Sequence, residues 1–449
     1  MNRRSHSLIV LLVLIDAACL PCVVSAEEPV KIVAGPMFTP VSEHSICVWV
    51  QTNRDVPLEL EAATETLVAR HGPLPTNVKL RMKTESREAN ISTVTLEVHD
   101  YTNYRFLVRT DDPTNRVLTE KVVVRTPPKP GKSGSYTLAF GSCSHQERYG
   151  ERQPIWDVVV KQKPDAFLFI GDNIYLPNRA SEFPATREEV FKLYHDTYDR
   201  QRRMADLQPL LRSTMSYAIW DDHDFGPNNS DRTWQWKDIA LEAMKLYFPN
   251  HYGLPDAPGC YYRFPWGDID VFMLDDRMHR DPNNDPDRKT LLGEKQLAWL
   301  KAGLADSKAT FKLIVCGNQV LSDTHPHESW GVQFRPERDA FLEWLWDRKL
   351  TGVIFLAGDR HFAELVRKKD PKGRGDDLWE LTSSPLANQH YQDGPSFANP
   401  ERVAAYSDGV NVGVLKFDTT ARPPQVELII LDVDGKPVIR QMVTTRRVR

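Results

Sequence analysis

Five short stretches of this sequence concentrate residues that bind metal ions or move protons. The densest is Trp220-Asp221-Asp222-His223-Asp224, where three carboxylates surround one imidazole. Such crowding is costly unless cations or hydrogen bonds compensate it. Asp222 can ligate a metal, His223 can serve as acid or ligand, and Asp224 can orient the His223 ring. The alternative is a solvated acidic turn. Gly171-Asp172-Asn173-Ile174-Tyr175 follows an apolar run. Its glycine lets the backbone turn closely and leaves the Asp172 carboxylate free to bridge two cations. Tyr175, three residues on, can return its phenol to the same ion or simply pack the loop. Gly358-Asp359-Arg360-His361 sets a carboxylate and an imidazole two residues apart, so that on a turn both can face one ion. Gly141-Ser142-Cys143 ends another apolar run, and Cys143 is either a thiolate ligand or a buried, idle thiol. Asp275-Asp276-Arg277 supplies a guanidinium whose fork suits a phosphate, unless Asp275 or Asp276 neutralises it.

Carboxylate, imidazole, thiolate and phenolate donors together favour a hard trivalent ion beside divalent ones. Two close cations clamp an oxyanion and acidify a bound water, so hydrolysis at a polymetal site is the expected chemistry. No G-x-S-x-G stretch is present to make a nucleophile elbow, and there is no Walker loop.

The elements that must position these residues read as apolar runs. Strands are predicted over 136–141, 166–170, 216–220, 269–274, 311–316 and 352–357, and helices over 187–200, 234–248, 293–306 and 336–349. Buried strands separated by amphipathic helices predict an α/β layer fold. The reactive stretches follow strands, where open α/β sheets place their sites. Later strands over 412–417 and 426–432 are expected to finish a second sheet. Upstream, 45–52, 93–98, 104–109 and 121–125 read as short strands of a small β-sandwich module over residues 27–130. Residues 127–134, rich in Pro and Gly, read as a linker into the region 131–449.

The chain has 449 residues, more than one hydrophobic core usually serves, so two domains are expected. Hydrophobic residues at 41% and charged residues at 26% are ordinary for a globular protein. Net charge is −4; Arg3 and Arg4 against Asp16 give the first 26 residues +1 and leave −5 for the remainder. No basic excess points to nucleic-acid binding. Basic Arg3-Arg4, an apolar run from Leu8 to Ile15 and the small residues Ser25-Ala26 form an export signal over residues 1–26, with the run too short to span a bilayer. A secreted or periplasmic location follows, with no transmembrane segment after cleavage. Only Cys47, Cys143, Cys260 and Cys316 lie beyond that signal, too few for a disulfide framework.

Taken in order, Gly141-Ser142-Cys143, Gly171-Asp172-Asn173-Ile174-Tyr175, Trp220-Asp221-Asp222-His223-Asp224, Asp276-Arg277 and Gly358-Asp359-Arg360-His361 resemble the PhoD-like alkaline phosphatase/phosphodiesterase family of calcineurin-like metallophosphoesterases. The resemblance runs from about Tyr136 onward, and the 27–130 module resembles the β-sandwich that precedes the catalytic domain in such proteins. It implies a four-layer αββα catalytic domain. It also implies an Fe3+ site using Cys143, Asp172 and Tyr175, adjoining a site for Ca2+ or another divalent cation that shares Asp172. Asp222 stands where the superfamily usually has a metal-binding Asn. His223 matches the His that contacts phosphate or protonates the leaving group. Asp359 stands where a His is usual, and His361 matches the second His of that motif; both are implied metal ligands. Asn228 is placed to touch metal or phosphate, and Arg277 matches an arginine near the phosphate. Two departures stand out: the leader is a poor twin-arginine signal, and 177–205 and 385–410 contain nothing that maps to a pocket.

The favoured function is an exported phosphomonoesterase or phosphodiesterase acting on a small-molecule phosphate ester. The alternatives are a phospholipase D-like or nucleotide-cleaving diesterase on the same site, and a non-catalytic surface-binding protein with structural metals. His223 beside Asp222 argues against the last, because a structural metal site is closed and needs no poised acid.

Overall fold

The apolar five-residue runs become strands buried on both faces, and strict alternation along them sorts side chains between two neighbouring layers. The computed structural model describes residues 28–446 apart from 65–77, 87–88, 113–114, 120–121, 151, 284–288, 324–328 and 397. The signal expected over 1–26, with Cys19 and Cys22, lies outside them.

The strands are β1 (Ile32–Ser42), β2 (Ser45–Thr52), β3 (Leu58–Thr64), β4 (Val78–Arg81), β5 (Lys83–Ser86), β6 (Ile91–Glu97), β7 (Asn103–Thr110) and β8 (Val122–Arg125) in the N-terminal region. They are followed by β9 (Ser135–Gly141), β10 (Ala166–Ile170), β11 (Met215–Ile219), β12 (Tyr262–Trp266), β13 (Ile269–Met273), β14 (Phe311–Val315) and β15 (Val353–Ala357). The last six are β16 (Ala363–Lys368), β17 (Leu378–Thr382), β18 (Arg402–Tyr406), β19 (Asn411–Asp418), β20 (Gln425–Asp432) and β21 (Pro437–Thr444). The longer helices are α1 (Ile155–Lys161), α2 (Arg187–Arg202), α3 (Lys237–Tyr247), α4 (Gly293–Asp306) and α5 (Arg335–Asp347).

One sheet runs β21-β20-β19-β9-β10-β11-β1-β2-β6-β5 and the second runs β12-β13-β14-β15-β17-β16-β18. Val271, Met273, Leu313, Val315, Ile354 and Leu356 of the second sheet share a core with Leu138, Leu168, Ile170 and Val414 of the first. The residues between them, Phe272, Ile314 and Phe355, face the other way, into a cluster with Leu300 and Leu304 of α4 and Phe341, Leu342 and Leu345 of α5. Across the first sheet, the rings of Phe167 and Phe169 lie 5.8 and 6.2 Å from Trp156 of α1. The result is helix, sheet, sheet, helix, as expected. Each fully buried Leu or Phe contributes roughly 1.5–3 kcal/mol of transfer free energy, so the two cores are the main force holding the strand ends in register.

The late strands depart from the expectation. β19 pairs antiparallel with β9 along Gly413↔Phe140 to Asp418↔Ser135, so β19 to β21 extend the first sheet, and the second is completed instead by β16 to β18. Apolar alternation fixes which face of a strand is buried but not which neighbour it takes.

In the N-terminal region a four-stranded sheet, β4-β3-β7-β8, packs on β1-β2-β6-β5, with Phe38 and Phe106 at 4.7 Å. The latter strands continue the large sheet, because β1 lies parallel to β11 with Phe38 beside Met215. Side chains reinforce the seam: Trp49 Nε1 donates to Leu246 O at 2.9 Å, and Arg212 Nε to Gly35 O at 2.8 Å. Cys47, Cys143, Cys260 and Cys316 are free thiols. No described helix is long and apolar enough to cross a membrane.

Candidate metal centre

The loops that leave β9, β10, β11 and β15 converge. Three of them turn through the left-handed region at residues other than glycine: Cys143 at φ 61°, Asp172 at 50°, Asp359 at 64° and His361 at 53°. Such backbones cost free energy and gather at functional sites. Gly171, at φ 105°, allows the tightest approach, since a Cβ there would fall 2.6 Å from Asp221 Cβ. After β11 the chain makes a single helical turn, Asp222–Phe225, capped by Asp221, which accepts from the Asp222 amide at 2.9 Å.

These turns bring the sequence-predicted ligands together around Asp172. Its Oδ2 lies 3.4 Å from Cys143 Sγ and accepts from the Tyr175 hydroxyl at 3.0 Å. The same hydroxyl is 3.4 Å from His361 Nε2. Ligand atoms of Cys143, Asp172 and His361 all lie within 4.8 Å of one another, and so do those of Asp172, Asp222 and His223. Asp172 belongs to both groups. Hydroxyls of Ser142 and Ser384 hold the Cys143 sulfur, each at 3.2 Å. The His361 amide donates to Ser384 Oγ at 2.8 Å, and its ring stacks on Tyr391 at 4.8 Å. Tyr175 is clasped between two imidazoles, His145 at 4.3 Å and His223 at 4.4 Å.

The electrostatics of the donor set call for cations. Burial, followed by repulsion from Asp222, Asp224 and Asp359, pushes the Asp172 carboxyl well above the usual range. Burial and the Asp172 and Asp359 carboxylates do the same to the Cys143 thiol. Burial and Asp172 raise the Tyr175 phenol. Asp222 goes the other way: burial pushes it up, but His223, Arg277 and the Asn229 amide outweigh that and hold it at about 2. The buried Nδ1 of His223 has no hydrogen-bond partner. A packed set of acidic donors and an unpartnered imidazole nitrogen fit bound metal ions, which relieve the repulsion and take the lone pairs.

Two predicted residues, Asp224 and Arg277, take other places, and two more, Asp359 and Asn228, are not tied into the ligand groups. Asp224 does not orient His223. Its carboxylate accepts from the amides of Asn173 at 3.0 Å, Ile174 at 3.2 Å and Asp221 at 3.0 Å, so it ties the Asp172 turn to the Asp222 turn. Arg277, expected beside the phosphate, is fully buried, with Nε donating to Asp221 Oδ1 at 2.6 Å and a second nitrogen 4.0 Å from Asp222 Oδ1. The neutralising carboxylate is chiefly Asp221, with Asp276 at 3.6 Å, and this could not be chosen from the local Asp275-Asp276-Arg277 run. Asp359 lies outside both ligand groups, with its carboxylate 3.8 Å from Arg360 and its carbonyl 3.7 Å from the Cys143 sulfur. Asn228 is exposed, its amide donating to Asn178 O at 3.2 Å, and it is the neighbouring Asn229 amide that holds Asp222, at 2.6 Å. Sequence reasoning passed over His145 and Tyr391, the rings that flank Tyr175 and His361. His145 lies in the same turn as Cys143, and that proximity was its only signal.

The family model of PhoD-like phosphatases matches residues 138–423, more than half of the chain and all of the turns just described. The chain belongs to the PhoD-like phosphatase family. It is accordingly a phosphoric ester hydrolase, and the family and the donor set together imply metal ions. A solved structure of PhoD aligns with a TM-score of 0.71 at 18% identity, over 91% of this chain and 88% of its own. The purple acid phosphatase PPD1 from seeds of yellow lupin (Lupinus luteus) aligns with a TM-score of 0.65 at 12% identity, over 91% of this chain and 74% of its own. At these identities the likeness is one of fold, and at 91% of this chain each alignment extends into its N-terminal β-rich region. No curated protein matches the sequence.

Proposed function

We propose that this PhoD-like phosphatase is an exported phosphomonoesterase or phosphodiesterase whose two cations share Asp172. The observation that carries the reading is the membership of Asp172 in both ligand groups. Cys143, Asp172, Tyr175 and His361 would hold one ion, and their thiolate and phenolate donors favour Fe3+. Asp172 and Asp222 would hold the other, Ca2+ or another divalent cation. A metal pair held there supplies Lewis acidity toward the phosphoryl oxygens and an activated water.

The chain's own groups do the rest. Asp222, whose carboxyl is held, against its burial, below the usual range chiefly by His223 and Arg277, would be ionised for ligation near neutral pH. Arg277 and Asp221 fix its position from behind, and Asp224 locks the turn that carries Asp172. His223, part-buried beside Tyr175, is the residue assigned to give a proton to the departing oxygen. Its inclusion among the ligand atoms near Asp172 and Asp222 supports a second reading, in which it binds the divalent ion instead. Asn228, exposed on the loop after Asp222, is assigned to the substrate phosphate. Export rests on the leader over residues 1–26.

The deciding experiment measures hydrolysis of p-nitrophenyl phosphate and bis-p-nitrophenyl phosphate with and without a chelator. Chelator-sensitive turnover of either ester supports the reading, and the ratio between them assigns monoester or diester preference. Turnover insensitive to full metal removal would overturn it, and absence of turnover with every tested metal would favour a structural metal site.

A further inference from the structure

A cavity of about 1110 Å3 lies where β14 and β15 begin. Lys312 is the second residue of β14, and Leu350 and Thr351 lie just before Gly352, which leads into β15. The candidate metal turn leaves the opposite end of β15 at Asp359. A five-residue strand spans roughly 17 Å, so no small ester reaches both places at once.

Cations dominate the lining. Arg446 is paired with Asp376 at 3.2 Å, and Arg374 with Glu343, Asp347 and Asp370 at 2.7 to 2.9 Å. Lys308, Arg348, Lys349 and Arg422 are exposed, and among the described residues none of them has a carboxylate within ion-pair distance. Arg348, also in the lining, lies over the Trp344 ring at 5.9 Å. Lys312 is buried in the floor, in the field of Asp268 and Asp270. Its ammonium donates to Ala309 O at 2.6 Å and Thr351 O at 3.3 Å, which leaves one of its three N–H groups uncommitted.

Like charges gathered around a concavity, with the lining acid Asp376 already paired to Arg446, focus a positive field. Several unanswered cations match a ligand with several negative charges better than a single phosphate, which would leave most of them unneutralised. We propose that this cavity binds a soluble ligand of linked phosphate groups, of the short-polyphosphate class, at a site separate from the metal centre. The inference stands apart from the metal assignment, and its test keeps the two separate.

The probe is sodium tripolyphosphate, titrated calorimetrically at low ionic strength. Wild-type protein and the Asp172→Asn variant should bind it alike through the cavity, with affinity falling steeply as salt rises. The triple variant Lys308→Gln, Lys349→Gln, Arg422→Gln should bind at least tenfold more weakly in either background, while p-nitrophenyl phosphate hydrolysis by the otherwise wild-type triple variant is unchanged, which also shows that it folds. Arg422→Gln alone should give a smaller loss in the same direction. Inorganic phosphate should bind at least tenfold more weakly than tripolyphosphate. Equal binding by the triple variant, or binding lost only with Asp172→Asn, would overturn the proposal.

Discussion

Arg277 and Asp221 form an ion pair sealed from solvent, joined from Nε to Oδ1 at 2.6 Å, one residue behind the proposed ligand Asp222. Breaking such a pair by removing one partner typically costs about 3–5 kcal/mol, because the other charge is left buried. Arg277→Met should lower unfolding free energy by about that amount in denaturant titrations. It should also reduce bound metal, since Asp222 loses its neighbour at 4.0 Å. The inhibition constant for phosphate, measured on the metal-loaded fraction, should stay within about threefold of wild type. A much weaker phosphate inhibition with stability intact would make Arg277 a direct phosphate contact after all.

Asp172→Asn tests the bridge. One oxygen is replaced by an amide nitrogen that cannot ligate, in a residue claimed by both ligand groups. Elemental analysis should find both ions depleted, with turnover falling to near background. Full occupancy of either ion in that variant would contradict sharing.

His223→Ala separates acid from ligand. A proton donor contributes roughly 100- to 10,000-fold. Turnover of alkyl phosphates should fall within that span, aryl phosphates should suffer less because their leaving groups need little protonation, and metal content should hold. Equal losses for both ester types together with loss of one ion would assign His223 to the metal.

Tyr175→Phe probes the iron assignment. The phenol donates to Asp172 at 3.0 Å, and the ring is held between His145 and His223, so Phe keeps the packing and removes only the oxygen. The purified, metal-replete protein should be coloured by a phenolate-to-metal charge-transfer band, and the variant should lose or shift it along with activity. A colourless, iron-free and fully active wild-type enzyme would rule the ferric centre out.

Glu380, on β17, gives a pH signature away from the metals. Burial, with Glu364 adding, raises its carboxyl from 4.5 to about 7. Its Oε2 accepts from the amides of Val320 at 2.6 Å and Leu321 at 2.9 Å, while Oε1 has no partner. Folding therefore favours the protonated form. Below about pH 4.5 both states are protonated and nothing is lost. Stability falls as pH rises from there to about 7, and above that the full penalty of about 3 kcal/mol is present. Glu380→Gln keeps an acceptor and cannot ionise. Its stability relative to wild type should improve by up to about 3 kcal/mol between pH 5 and pH 8 in paired denaturant titrations, and a pH-independent difference would refute the raised carboxyl.

The site was legible where chemistry is local. Gly171-Asp172 and Asp221-Asp222-His223 announce themselves because a turn after an apolar run cannot bury acids without compensation. What escaped was long-range. That Asp224 serves the Asn173 and Ile174 amides, and that Arg277 answers Asp221 from 56 positions away, depends on strand order, which apolar periodicity does not encode. The same limit put β19 and β20 in the wrong sheet, and it hid β1, whose Gly35-Pro36 interruption breaks any period-two pattern.

The placement of β1 beside β11 changes what the first hundred residues are for. β11 feeds directly into Asp221, Asp222 and His223, so the strand that shields it also steadies the acidic turn. A cut in the 127–134 segment that released the N-terminal strands would not free a smaller enzyme. It would bare an apolar sheet edge, and a bare edge invites pairing with another chain. Proteolytic trimming at that segment should yield aggregate rather than activity, because β1 covers the edge of the strand that carries the acidic turn.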